Sequence, residues 1–192
     1  MDPRAYWLEG LRRDPGDARI NAALGAALHR DGDYAGALAH LETALARLTA
    51  RNPNPADGEA SYRRGLALER LDRAQDAYDA FAKAAWDGRW AHAAQLQMAF
   101  LDAAAGQDRR ALEVIETALR LDAEDLRARA LEVVVLRRLG REQEAAERLA
   151  ATLALDPLDP WNRDLAGLEP PADARVLVDV ALDHAASGET DR

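Results

Sequence analysis

Apolar and polar positions follow a helical period along most of the chain, and the pattern is clearest between Glu124 and Pro157. There, two apolar stripes flank Leu139-Gly140-Arg141, a small residue, Ala145, sits early in the second stripe, and Asp156-Pro157 closes the unit. Apolar residues at such spacing share one face of a helix, and a glycine between two stripes marks the end of the first. The stretch is expected to be a helix-turn-helix.

The same unit recurs. Aligned on the small residue near the start of each second helix, Ala37, Ala77, Ala111 and Ala145 stand 40, 34 and 34 residues apart. The first copy contains Leu24-Gly25, Leu28, Gly32, Tyr34, Ala37, Leu41 and Ala44. The second has Gly65, Leu68, Ala77, Phe81 and Ala84, with Asp72 at the turn; the third has Gly106, Ala111, Ile115 and Ala118, with Ala99 replacing the first-helix glycine and Ala123 the closing proline. The fourth has Leu136, Gly140, Ala145, Leu149 and Pro157, with Val133 and Thr152 at two usually small positions.

A helix-turn-helix repeated every 34 residues with these residues resembles the tetratricopeptide repeat (TPR) family. The resemblance implies an all-α fold, a right-handed superhelical solenoid of antiparallel helix pairs. Small residues at Gly25, Gly65 and Ala99 are then expected to let neighbouring helices approach closely. Gly32, Gly106 and Gly140 are expected to take the left-handed conformation that ends a helix. Six extra residues around 51–58, with two X-Pro pairs, should end the helix before them near Ala50 and form a stiff elbow, a binding loop being the alternative.

The expected organisation is a half repeat at 1–16, four repeats over 17–157 with the insertion near 51–58, and an irregular link with a C-terminal half repeat at 158–192. In the first half repeat Trp7 takes the large apolar position and Gly10 the small one. Half repeats leave apolar faces without neighbours, so self-association through uncapped ends, or a longer array, is an expectation as well.

Composition narrows the function. A formal net charge of -9 argues against a nucleic-acid surface, which needs clustered positive charge. Lys83 is the single lysine, the other cationic chains apart from histidine being arginine. The chain has no cysteine, so neither disulfides nor thiolate metal sites arise, and its N-terminus reads as an amphipathic helix rather than a signal peptide. No apolar window reaches membrane-spanning length, and a cytoplasmic protein is expected.

No constellation suggests catalysis. His29, His40, His92 and His184 occur singly, no glycine loop is followed by GK[ST], Ser61 and Ser187 lack a nucleophile-elbow context, and Glu142 with Glu144 or Asp76 with Asp79 reads as solvated helix face. A non-enzymatic scaffold without cofactor or metal is expected.

The TPR resemblance implies a concave face lined by the first helix of each repeat. Its positions map to Arg19, Ala22, Ala26, His29 and Arg30; to Glu59, Tyr62, Leu66, Glu69 and Arg70; to Ala93, Leu96, Phe100, Ala103 and Ala104; and to Arg127, Ala130, Val134, Arg137 and Arg138. Such a floor, apolar in the middle and cationic at its ends, suits a protein partner presenting an amphipathic helix or an acidic-apolar segment. Equally, Tyr62, Leu66, Leu96 and Phe100 can pack within a tight superhelix. The asparagines by which some TPRs clamp a chaperone's C-terminal carboxylate are replaced by Ala23, Arg63, Gln97 and Leu131. Trp86 and Trp90, flanking a turn, are expected to seal the core between repeats, with a stacking surface for a sugar or peptide as the alternative.

The segments RNPNPADGEASYRRGLALE, YDAFAKAAWDGRW and LALDPLDPWNRDLAG also resemble the TPR half of a bacterial family with an N-terminal β-sandwich of unknown function, itself similar to galactose mutarotase. That resemblance implies an alternative role, a helical accessory region of a carbohydrate-active protein whose β-sandwich lies outside this chain.

Overall fold

A computed structural model describes residues 3–50, 52, 57–168 and 174–188. All regular structure among them is helical: α1 (Pro3–Arg13), α2 (Ala18–Arg30), α3 (Tyr34–Thr49), α4 (Glu59–Glu69), α5 (Ala74–Ala84), α6 (Gly88–Ala104), α7 (Asp108–Leu121), α8 (Leu126–Arg138), α9 (Glu142–Leu155), α10 (Pro160–Leu165) and α11 (Ala174–Ala186). The chain divides into two compact units, residues 1–94 and 95–192, with the boundary inside α6.

Helix starts are encoded by a short aspartate device. In DPGD, DAED and DPLD the first aspartate (Asp14, Asp122, Asp156) accepts a hydrogen bond from the backbone N–H two residues on. The second (Asp17, Asp125, Asp159) caps α2, α8 and α10 by accepting from the N–H of Ile20, Ala128 and Asn162. Each cap satisfies a donor that the helix cannot, and is worth about 1 kcal/mol.

Helix ends follow the expectation. Gly32, Gly106 and Gly140 have φ of +84°, +68° and +73°, and Asp72, at the matching position of the second copy, is the one described non-glycine residue with positive φ, at +57°. Helix α3 ends at Thr49, just before the proline-containing insertion. Residues 51 and 53–56 of that insertion lie outside the described residues.

Close approach depends on missing side chains. A Cβ on Gly25 would lie 2.7 Å from Leu41 Cγ, and one on Gly65 would lie 2.5–2.8 Å from the Phe81 ring. Leu41, Leu68, Ala77 and Phe81 are fully buried in the first unit. In the second unit one apolar cluster runs from Leu96 and Phe100 through Ile115, Leu131 and Val133–Leu136 to Leu149, and includes Trp161 and Leu165 from α10. Val133 and Thr152, at usually small positions, are fully buried, and the Thr152 hydroxyl donates to the Arg148 carbonyl. The hydroxyl thus enters the core with its donor satisfied.

The tryptophan pair divides. Trp90 packs on Tyr62 with centroids 4.9 Å apart, and Tyr62 in turn meets Phe81 at 5.5 Å. Trp86 is 76% exposed, which corrects the expectation that both rings seal the core. Its neighbour Asp87 takes the structural role instead, accepting from Gly58 N–H and pairing with Arg89.

Candidate partner-binding faces

In the first unit, α2 and α4 enclose an open cavity of about 690 Å³. Its floor is alanine: Ala18, Ala22, Ala23 and Ala26 from α2 and Ala60 from α4. Trp7 from α1 and Leu48 from α3 wall it, and Arg19, Arg30, Asp57, Glu59 and Arg63 rim it. Small side chains leave the volume unfilled while the helices still touch through neighbouring residues.

The rim is not neutral. Arg63 is committed to Glu59 through hydrogen bonds at 2.8 and 2.7 Å. Arg19 and Arg30 are exposed and form no ion pair among the described residues, leaving two cations at an apolar floor.

The other first-unit positions mapped from the sequence lie elsewhere. His29 packs edge-on against Tyr34 at 5.1 Å. Burial holds its pKa below the ordinary histidine value, Arg70 and Arg63 adding to the effect against a contact with the Leu66 backbone. Tyr62 belongs to the aromatic cluster with Phe81 and Trp90, while Leu66 and Glu69 are half-buried outside the cavity. The structure therefore brings Arg19, Ala22, Ala26, Arg30 and Glu59 together, and adds Trp7, Ala23, Leu48 and Arg63.

The equivalent face of the second unit is occupied. Leu96, Phe100 and Val134 are buried, and the Phe100 ring stacks on Trp161 at 6.0 Å with an interplanar angle of 18°. Arg127 lies over Phe100 at 5.0 Å and binds the Asp183 carboxylate on α11 at 2.5 and 3.1 Å. His184 meets the edge of Trp161 at 5.8 Å and forms a 2.8 Å contact with Asp164.

Two arginines mapped to this face serve the fold. Arg137 donates to the Leu165 carbonyl at 3.0 Å and Arg138 to the Ala103 carbonyl at 3.0 Å, satisfying the last turns of α10 and α6. Arg138 also lies 3.7 Å from Asp108. Elsewhere in this unit, burial raises the pKa of Asp102 against the opposing pull of Arg110, and that of Glu132 against Arg148 and Arg129.

Residues 4–47 and 42–94 match the tetratricopeptide repeat family model. The paired helices have solved counterparts. A crystal structure of MamA superposes with a TM-score of 0.73 at 20% identity, covering 80% of this chain and 86% of that one. The fold is that of tetratricopeptide repeats. YrrB, described as a TPR protein with an unusual peptide-binding site, matches at TM-score 0.65 and 19% identity over 96% of this chain and 85% of its own. A MamA segment from Desulfovibrio magneticus RS-1 matches at 0.63 and 19% over 91% and 87%. These identities show the TPR fold and leave the surface chemistry to this chain's own residues. Among the described residues, no helix is long and apolar enough to cross a membrane.

Trp7 was legible in the sequence only as the large apolar residue of a helix, and Leu48 not at all as a wall. The aspartate pairs of DPGD, DAED and DPLD are a sequence signal for three of the helix starts. The capping tasks of Arg137 and Arg138 had none, because their acceptors lie 28 and 35 residues away.

Proposed function

We infer that this chain is a non-enzymatic TPR scaffold whose first unit binds a protein partner, as a helix or an acidic-apolar segment, across α2 and α4. The observation that carries the reading is the open, alanine-floored cavity with Arg19 and Arg30 unpaired at its rim. Apolar side chains of the partner fill the space above Ala22 and Ala26, and its carboxylates meet the two arginines, a helix-in-groove mode of recognition. A peptide ligand is also what YrrB is described as binding. The repeat organisation that goes with this reading is four repeats over 17–157 between half repeats, supported by the recurring aspartate caps and left-handed turns. The accessory-region alternative rests on sequence resemblance, and no feature of the described helices favours it.

The test is fluorescence anisotropy with a panel of labelled helical peptides that differ in charge, using the full chain. Acidic-apolar peptides should bind, and Arg19→Glu with Arg30→Glu should weaken them tenfold or more, about 1.4 kcal/mol. Trp7 emission should shift on binding. Equal affinity for acidic and basic peptides, or indifference to the double reversal, would sink the reading.

A further inference from the structure

The second unit contains a complex already: a TPR face with a helix seated on it. Helix α11 touches three elements. Asp183 pairs with Arg127 of α8, His184 with Asp164 of α10, and the end of the helix reaches α6, where a Cβ on Gly188 would lie 3.1 Å from Ala104 Cα.

Its mode of attachment differs from that of α10. Helix α10 inserts Trp161 and Leu165 into the apolar cluster, at 3% and 4% exposure. Among its described residues, α11 buries His184 and Ser187 and packs the half-buried Val180 and Ala186 against the same cluster. Two other apolar residues, Val178 and Leu182, face solvent at 57% and 58% exposure. The Arg127 end of the ion pair is half-exposed, within reach of a competing carboxylate. Trp161 and Leu165 are members of the buried cluster, whereas the described α11 residues that pack against it, Val180 and Ala186, are only partly buried.

We propose that the face of α6 and α8 in the second unit is a helix-binding site in its own right. Helix α11 is its resident ligand, and a separate partner helix presenting a carboxylate to Arg127 and a small-residue turn to Ala103 and Ala104 takes its place. The resident helix defines that chemistry: the carboxylate of Asp183 complements Arg127, and the helix end at Gly188 fits against Ala104 because it carries no side chain there. Tethering gives α11 a high effective concentration, so the site is closed until a partner exceeds it or the Asp183 contact is lost. This site is independent of the cavity between α2 and α4.

The probe is a labelled synthetic peptide of residues 174–188, ARVLVDVALDHAASG, titrated into the full chain. Wild-type protein should bind it weakly. Asp183→Lys, which removes the match between the chain's own helix and Arg127, should bind it at least tenfold more tightly. Arg127→Asp should bind it no better than wild type, yet should accept a peptide carrying Asp183→Lys. Since the protein lacks cysteine, Ala104→Cys with Gly188→Cys gives a second, self-controlled measurement. Its reduced form should admit the peptide and its oxidised form should exclude it. Unchanged affinity in Asp183→Lys with unaltered circular dichroism, or equal binding to the oxidised and reduced forms, overturns the proposal. So does a dimer that dissociates when peptide is added, because the occupant would then be α11 of a second copy. Failure of the first-unit peptides leaves all of these readouts in place.

Discussion

The two units place arginine at the same repeat position and use it differently. Arg19 in α2 and Arg127 in α8 correspond in repeat register, yet Arg19 is free of ion pairs among the described residues while Arg127 holds Asp183. The difference arises beside them. Ala26, Leu66, Phe100 and Val134 occupy one register in successive repeats. Alanine in the first unit leaves a cavity, whereas phenylalanine in the second provides a ring for Trp161 to stack on. Cationic residues on a TPR face are thus not by themselves a partner site. Their availability depends on whether the apolar floor has already been covered.

The contrast breaks most severely at Trp161. Trp161→Ala removes the Phe100 stack and leaves a void in the second-unit core, costing about 3–5 kcal/mol. Hydrogen exchange followed peptide by peptide should show faster opening across α8–α10 and little change in α2–α4. Uniform loss of protection throughout the chain would mean that the units do not respond separately.

A smaller loss should follow in the first unit from Gly65→Val. Its side chain would meet the Phe81 ring at 2.5–2.8 Å, so overpacking is expected to cost about 1–3 kcal/mol. Urea denaturation, with protection of α4 and α5 monitored, checks this.

Mild acid should sharpen the comparison, because the signs are opposite. His29 in the first unit has its pKa lowered by burial, so the unfolded state takes up a proton before the folded state does. Its stabilising contribution is therefore lost as pH falls from the ordinary histidine value through the lowered one. Asp87 is held well below the ordinary carboxylate range by Arg89 and the Gly58 N–H, so its contribution persists through mild acid and is lost only below the ordinary carboxylate value. Asp102 and Glu132 in the second unit are raised by burial. Their contribution is present below the ordinary carboxylate value and is lost as pH rises through the raised one. Lowering pH from about 7.5 to about 5.5 should lower protection in the first unit relative to the second, and His29→Gln should shrink the gap; parallel pH profiles in the two units would contradict it.

The smallest change expected is a gain. Asp72 adopts φ of +57° where its counterparts in register are Gly32, Gly106 and Gly140, so Asp72→Gly should stabilise the first unit by about 0.5–1 kcal/mol. A shift in the urea midpoint without a change in slope would show it.

Much of this molecule was legible in its residues. The 34-residue spacing, the left-handed glycines and the small residues at Gly25 and Gly65 are local or near-neighbour signals, and each has a direct steric meaning. Face occupancy was not legible in that way. Leu96, Phe100 and Val134 carry the same helical periodicity whether they face solvent, a partner or another helix, so the pattern leaves their exposure open. Arg137 and Arg138 look like rim cations in sequence and become helix caps in space.

By itself, the sequence determined that the chain forms paired helices, where most of them stop, and which helices approach closely through glycine. Those outcomes depend on backbone sterics and on side chains a few turns apart. Only the tertiary structure decided that the first-unit face is open and the second closed. That choice depends on Asp183 reaching Arg127 across 56 residues and on Trp161 covering Phe100, contacts whose geometry no local period encodes.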